Sequence, residues 1–415
     1  MRLPLLLSFL SFTVFASAQR CSTPEYMTDV ATMHPSRGTD GMADSASSSR
    51  DTLPGEVIVV PVVVHILYNN NQQNITDGQV LSQLKVLNDD YRRLNADSVN
   101  TPAPFKGVAA DSKIIFRLAK VDPNGYYTTG IIHKYTSQGF FLSDDEMKFS
   151  SSGGDDAWDC HKYLNIWVCN LFGRTLGYAA MPGGPVERDG VVILYTAFGT
   201  TGSAAAPYNK GRTTTHEIGH WLGLRHLWGD AVCGDDGIAD TPPQEGSTSG
   251  CPSFPQLSSC SVNSYGNMFM DYMDFTDDAC MNMFTKDQAA EMRSLFALGN
   301  VRNSILASTV CDSTLALKDT AVSDSGNTVT GITISVFPNP FTDHFTIHSN
   351  DGKGLTGVKA NLYNIAGRLL LQQTISSSDM TIHTSDLPAG IYILKLEGLN
   401  TPKVFKLIKG SSASQ

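Results

Sequence analysis

The hydrophobic pattern of the chain changes period twice. Residues 56–68 are almost continuously β-branched (Val57-Ile58-Val59-Val60, then Val62-Val63-Val64), which predicts a strand buried on both faces. A helix follows: Thr76 and Gln79 form a capping box, and Val80, Leu84, Leu87, Tyr91 and Leu94 recur at helical spacing. Residues 113–119, 163–168 and 191–195 predict further strands, so this part reads as a mixed α/β domain. From about 228 to 284 the periodicity gives way to Gly, Pro, Ser and Asp. A loop of that length inside a compact domain is functional or cross-linked. A second capping box, Thr285 with Gln288, opens a helix with Ala289, Met292, Leu295 and Phe296 on one face. Residues 311–330 are rich in Ser, Thr and Asp and read as a linker. Beyond them, short strands are predicted at 332–337, 341–347, 359–363, 368–372, 391–396 and 404–408. Turn signals such as Asp351-Gly352 and Pro388-Ala389-Gly390 separate them, the pattern of a small β-sandwich.

The start of the chain follows other rules. Residues 1–18 have the three parts of a signal peptide: Arg2, an apolar run from Leu3 to Phe15, and Ala16-Ser17-Ala18 as a small-residue cleavage site. Residues 19–54 are polar without periodicity and read as an extended leader. No later stretch reaches about 18 apolar residues, so no transmembrane segment is expected. At 415 residues the chain has room for two or three domains. Its net charge of −10 argues against a nucleic-acid partner. Export makes disulfides permissible for the eight Cys, four of which (Cys233, Cys251, Cys260 and Cys280) crowd the irregular region. Four Cys allow three connectivities, and spacing alone does not choose among them.

The strongest chemical signal is Thr215-His216-Glu217-Ile218-Gly219-His220-Trp221-Leu222-Gly223-Leu224-Arg225-His226. At i and i+4 on a helix, His216 and His220 project from one face and can share a Zn²⁺. Glu217 sits one step round, placed to take a proton from water without binding the ion. Gly223 can adopt the left-handed conformation that ends the helix, and the chain then returns His226 as third ligand. Three protein ligands leave one position for water, the arrangement of a catalytic rather than a structural zinc site.

This motif is the metzincin zinc signature, and its surroundings resemble the pappalysin family of metalloendopeptidases. The similar stretches include Leu176-Gly177-Tyr178-Ala179, Asp189-Gly190-Val191-Val192-Ile193, Leu227-Trp228-Gly229-Asp230 and Asp277-Asp278-Ala279-Cys280. The resemblance implies an α/β (α+β) metzincin-like catalytic domain with a mixed sheet and an active-site helix. It implies a Met-turn at Met273, with Met270 as the alternative, and disulfides Cys233–Cys260 and Cys251–Cys280. It also implies Ca²⁺ bound through Asp236, Thr241 and a backbone carbonyl such as that of Ala239; the spacing by itself suits a solvated acidic loop equally well. Arg20-Cys21-Ser22-Thr23 resembles the opening of the family's propeptides, so Cys21 reads as a cysteine switch that supplies a fourth zinc ligand in a latent form; a disulfide is the other reading. One position departs from the pattern. Where the family carries a Tyr two residues after the Met, this chain has Phe275, which has no hydroxyl to donate.

The C-terminal segment resembles the sorting domain of the type IX secretion system. It carries Val336-Phe337-Pro338-Asn339-Pro340, Tyr363-Asn364-Ile365-Ala366-Gly367-Arg368 and a closing Lys403-Val404-Phe405-Lys406-Leu407-Ile408-Lys409. The expected organisation is therefore signal peptide 1–18, propeptide 19–54, catalytic domain 55–310, linker 311–330 and sorting sandwich 331–415. The expected protein is a zinc endopeptidase of a Gram-negative bacterium, made as a zymogen. Type IX machinery exports it to the medium or the cell surface, and it acts on protein or peptide substrates. Phe275 favours the other reading, a zinc-bound surface binding protein with impaired catalysis.

Overall fold

The structure is a computed structural model. It describes residues 20–33, 55–262 and 265–315, and, between 334 and 410, all but 340, 350–354, 356, 365–367, 378 and 399–402. The expected signal peptide, propeptide residues 34–54 and most of the expected linker lie outside the described residues. Contacts divide the chain into two compact units, Met1–Lys318 and Asp319–Gln415. The first thus runs past 310: expected linker residues 313–315 form a short turn of 3-10 helix, and the backbone N–H groups of Lys120 and Val121 bond to Val310 O.

The first unit is built on β1 (Ile58–Tyr68), whose β-branched run is almost wholly buried. It pairs in parallel with β2 (Ile114–Leu118) and β3 (Ile131–Tyr135) along one side and with β4 (Leu164–Cys169) along the other. Beyond β4 come β6 (Val191–Leu194), parallel to it, and the short β5 (Gly177–Ala179), antiparallel to β6. The mixed sheet therefore ends at β5, whose outer edge faces the site described below. Sequence periodicity does not reveal β3 and β5. β3 is only partly covered, and β5 has three residues, too few for an alternation to register.

Helix α2 (Asp77–Tyr91) is capped by Thr76, which accepts from Gln79 N, and buries Val80, Leu84, Leu87 and Tyr91. Helix α3 (Arg212–Trp221) carries the zinc motif, and α4 (Lys286–Ser294) opens with the expected Thr285–Gln288 capping box. One apolar core joins β1, β4 and β6 to α2 and to Ile218, Trp221, Leu222 and Leu224 of the motif. The polar leader also holds a helix, α1 (Thr23–Met33), in place of the expected extended run. Its tertiary contacts, given below, supply what its sequence pattern lacks.

Between α3 and α4 the chain is irregular and cross-linked by Cys233–Cys260 and Cys251–Cys280. Cys21, Cys160, Cys169 and Cys311 are free thiols. The second unit is a sandwich of two antiparallel sheets. One holds β9 (Lys359–Asn364), β10 (Leu369–Thr374), β12 (Gly390–Glu397) and β13 (Lys403–Lys409). The other holds β7 (Ile334–Phe337), β8 (His344–Ser349) and β11 (Asp379–His383). β11 is the strand that the sequence pattern does not reveal.

Candidate active site

All ten residues of α3 are buried. Asp278 Oδ2 accepts from the backbone N–H groups of Lys210 and Arg212 at its start. Its end is set by Gly223 (φ +87°), where Leu224 N reaches Gly219 O. The reversal brings His226 back beside its own helix. His220 Nε2 then lies 3.1 Å from both His216 Nε2 and His226 Nε2. Each ring is held from behind through Nδ1: His216 by Tyr272 O at 2.7 Å, His220 by Leu224 O at 2.7 Å, and His226 by Asp230 Oδ1 at 2.5 Å. Burial, and then the neighbouring imidazoles, push His216 well below the usual histidine range and His220 down to about 3. Neutral rings that donate from Nδ1 must present bare lone pairs at Nε2. Three lone pairs converging at hydrogen-bond distance have no proton to share, so the donor set fits a divalent cation, and three imidazoles suit zinc.

Cys21 Sγ joins this cluster: one donor atom from each of Cys21, His216, His220 and His226 lies within 4.8 Å of the others, and all four residues are buried. No other such group of three or more His, Cys, Asp or Glu occurs among the described residues. Asp236 and Thr241 do meet, with Thr241 Oγ1 2.9 Å from both carboxylate oxygens of Asp236, and Thr241 also reaches Ile238 O.

Glu217 is fully buried beside β5. A Cβ on Gly177 would come within 2.9 Å of Glu217 Cγ, so the edge strand passes as close as a glycine allows. Glu217 Oε2 accepts from Thr23 Oγ1 at 3.1 Å and lies 3.4 Å from Cys21 Sγ, while Oε1 has no hydrogen-bond partner among the described residues. Burial raises its carboxyl to about 8 against the opposing pull of the Cys21 and Thr23 hydrogen bonds. Burial, then the Glu217 charge, likewise pushes the Cys21 thiol up.

Residues 20–23 run through the cleft along β5. Cys21 bridges to Gly177 in the parallel sense, Ser22 N bonds to Gly177 O, and Ala179 N donates to Thr23 Oγ1. Arg20 is buried with Nη2 2.8 Å from Asp278 Oδ1, and its Nη1 donates to Thr276 O.

Met273 packs under the motif: a Cβ on Gly219 would lie 2.5 Å from its sulfur, whereas Met270 belongs to a separate cluster with Phe105 and Met268. The Phe275 ring lies 4.9 Å from His226 and 5.6 Å from His216, centroid to centroid. Tyr272 turns its ring away, against Phe284 and beneath Arg212. Several contacts at the site join residues that no local sequence pattern links. Trp228 stacks on His226 at 4.4 Å, Asp230 orients that same ring, and Asp278 receives Arg20. His226 and Asp230, four residues apart, are the exception that spacing could have signalled.

Comparison with known proteins agrees with this geometry. Residues 149–297 match the family model described as pregnancy-associated plasma protein-A, and residues 335–410 match a secretion system C-terminal sorting domain. Extracellular metalloprotease 1 of Coccidioides posadasii is 30% identical over 58% of this chain and 77% of its own length. An extracellular metalloprotease of Verticillium alfalfae is 31% identical over 61% and 82%. Among solved structures, mature mirolysin of Tannerella forsythia, in complex with a cleaved peptide, is 52% identical (TM-score 0.60), covering 61% of this chain and 97% of that one. A promirolysin mutant from the same organism is 48% identical (TM-score 0.65), covering 70% and 97%. The chain therefore belongs to the pregnancy-associated plasma protein-A family of metalloproteases, as a secreted metalloendopeptidase that carries a type IX sorting domain.

Proposed function

We propose that the chain is a latent zinc endopeptidase in which His216, His220 and His226 hold the metal and Glu217 is the general base. The observation that carries this reading is the convergence of three Nδ1-anchored imidazoles beside a buried carboxylate with one oxygen unpartnered. Bound there, zinc supplies Lewis-acid polarisation of the scissile carbonyl and makes water a nucleophile near neutral pH. The chain's own residues do the rest. The open edge of β5 binds the substrate backbone as an added strand. Glu217, released from its hydrogen bond to Thr23, takes the proton of the attacking water at a carboxylate oxygen and delivers it to the leaving amine. Met273 supports the turn beneath the ligands by packing.

Latency follows from residues 20–23. Cys21 is the cysteine switch, a fourth ligand of the metal, while Thr23 engages the base. The segment lies parallel to β5, opposite to the antiparallel course of an added substrate strand, so it fills the cleft without offering a peptide bond in cleavable polarity. The resemblance to the pappalysins implies cleavage before a basic residue, and the pairing of Arg20 with buried Asp278 supports that reading. The mature enzyme prefers a basic residue directly after the scissile bond, held on Asp278 as Arg20 is. Residues 1–18 act as signal peptide and 19–54 as propeptide, the catalytic domain starts at 55 and extends past 310, and a linker then leads to the sorting domain at 331–415.

Asp236 and Thr241 are proposed calcium ligands. Their donors are oxygens, as the ion requires, and the same loop holds Asp240 Oδ1, a buried acceptor with no partner among the described residues.

The second reading, a zinc-bound protein of impaired activity, rests on Phe275, which meets the His216 and His226 rings without a hydroxyl. A peptide-cleavage assay after removal of 19–54, on wild type and Glu217→Ala, decides between the two. Cleavage by wild type alone supports the protease; two equally inert proteins support the second reading.

A further inference from the structure

Residue Tyr26 of the leader enters a socket whose charged and aromatic partners, Asp145, Lys148, Trp167 and Tyr178, all come from the chain beyond the leader. It is 3% exposed, and its hydroxyl donates to Asp145 Oδ2 at 2.7 Å. Its ring stands 4.8 Å from that of Tyr178 in β5 and 5.1 Å from Lys148 Nζ. The socket is stiff. Asp145 and Lys148 are both wholly buried and paired at 2.7 Å, and Tyr178 OH donates to Asp145 Oδ1 at 3.1 Å. Arg188 reaches Asp145 Oδ2 at 3.1 Å, and Lys148 Nζ also donates to Arg188 O. Trp167 and Tyr178 face the ammonium group at 5.4 and 5.2 Å, so two of its three aromatic walls belong to the catalytic unit. Asp145 itself sits at φ +70°, in the left-handed region that aspartate tolerates better than most side chains.

The socket adjoins the cleft across the β5 edge: Tyr178 follows Gly177, which pairs with Cys21. The Tyr178 side chain lies on the opposite face of the sheet from Glu217, a face that alternate residues of an added strand also reach. Along the leader, Arg20 lies toward Asp278, Cys21 at the imidazoles, and Tyr26 on the far side. If the pocket of Asp278 takes the residue after the scissile bond, the residues before that bond run toward Asp145. The span from Cys21 to Tyr26, two extended residues and one helical turn, is roughly 11 Å, about three residues of an extended substrate.

We propose that this socket is a substrate subsite of the mature enzyme, selective for tyrosine about three residues before the scissile bond. Departure of the leader leaves Asp145 Oδ2 without the phenol donor and Lys148 without one ring. A tyrosine restores both, a phenylalanine only the ring, an alanine neither. Sites built to bond a substrate hydroxyl discriminate against analogues that lack it, and here the discrimination is modest because Arg188 still donates to Asp145 Oδ2. This inference rests on the proposed direction of the substrate along β5.

The test is binding, so that it does not depend on turnover. The full chain carrying Glu217→Ala, with residues 19–54 removed by an added protease, is titrated with fluorescent peptides that share one arginine and differ at the third residue before the bond preceding it. Dissociation constants should rise about three-fold from Tyr to Phe and about ten-fold or more from Tyr to Ala. Moving the tyrosine to the other side of the arginine should abolish the gain. Arg188→Gln, at a partly exposed residue, weakens the other donor to Asp145 Oδ2 and should widen the Tyr–Phe gap while keeping the Phe–Ala gap. Equal constants for the three peptides, or an equal gain from tyrosine on either side, would overturn the proposal. Replacing the arginine by alanine separates the two readings: indifference there strikes at the Asp278 pocket, not at the tyrosine socket.

Discussion

Helix α3 and strand β12 are both packed into cores, and they reach burial by different means. In α3 all ten residues are buried, although the sequence Arg-Thr-Thr-Thr-His-Glu-Ile-Gly-His-Trp is mostly polar. In β12 burial alternates, with Tyr392, Leu394 and Leu396 inside and Ile391 exposed. The strand is stabilised by its own period-two pattern. The helix depends on partners scattered along the chain. Asp90 accepts from Thr215 Oγ1, Tyr91 OH donates to Thr215 O, Tyr272 O and Leu224 O hold ring nitrogens, and Asp278 accepts the first N–H groups. Buried polar groups demand such partners, because each one left unsatisfied costs about 1–3 kcal/mol. The difference teaches that loss of a partner should reach the chemistry in the first unit, whereas damage in the sandwich should stay a stability effect.

The largest expected effect is chemical. Glu217→Ala should lower kcat/KM for a cleaved peptide by about 10³-fold or more, with zinc content and melting temperature little changed. If activity stays within ten-fold, α3 is a structural element like β12. Zinc removal comes next. A chelator should abolish cleavage and lower the melting temperature of the first unit, and zinc should restore both. A melting temperature unmoved by chelation would show that the three imidazoles hold no stabilising ion. Opening Cys233–Cys260 by Cys233→Ser with Cys260→Ser should cost roughly 3 kcal/mol in denaturant unfolding, since the bridge closes a loop of sequence separation 27. Leu394→Ala should cost about 3 kcal/mol within the sandwich, by the cavity it leaves, while peptide cleavage stays at the wild-type rate. A fall in activity there would break the comparison between the units. The smallest change is Phe275→Tyr. If the absent hydroxyl limits the reaction, it should raise kcat by about ten-fold with KM unchanged, and an unaltered kcat would show that other donors suffice.

Legibility followed the range of the interactions. The strand at 56–68, the capped helices and the His216–His226 motif are local patterns that the structure reproduces, except that α2 ends at Tyr91 and leaves Leu94, expected on its apolar face, exposed. β3, β5 and β11 were missed because short or half-covered strands carry little periodicity. Helix α1 was missed because the contact that seats it, Tyr26 with Asp145, spans 119 positions.

By itself the sequence determined the chemistry available at the site: two imidazoles and a carboxylate at helical spacing, a glycine to turn the chain, and a third imidazole to return. Helical geometry is local, so residue order suffices for it. Only the tertiary structure decided which groups close the site. Asp278 takes Arg20 across 258 positions, Tyr272 O holds His216 across 56, and Cys21 comes to the three imidazoles from the far end of the unit. Such pairings depend on how the sheet and its loops pack, which no local pattern encodes.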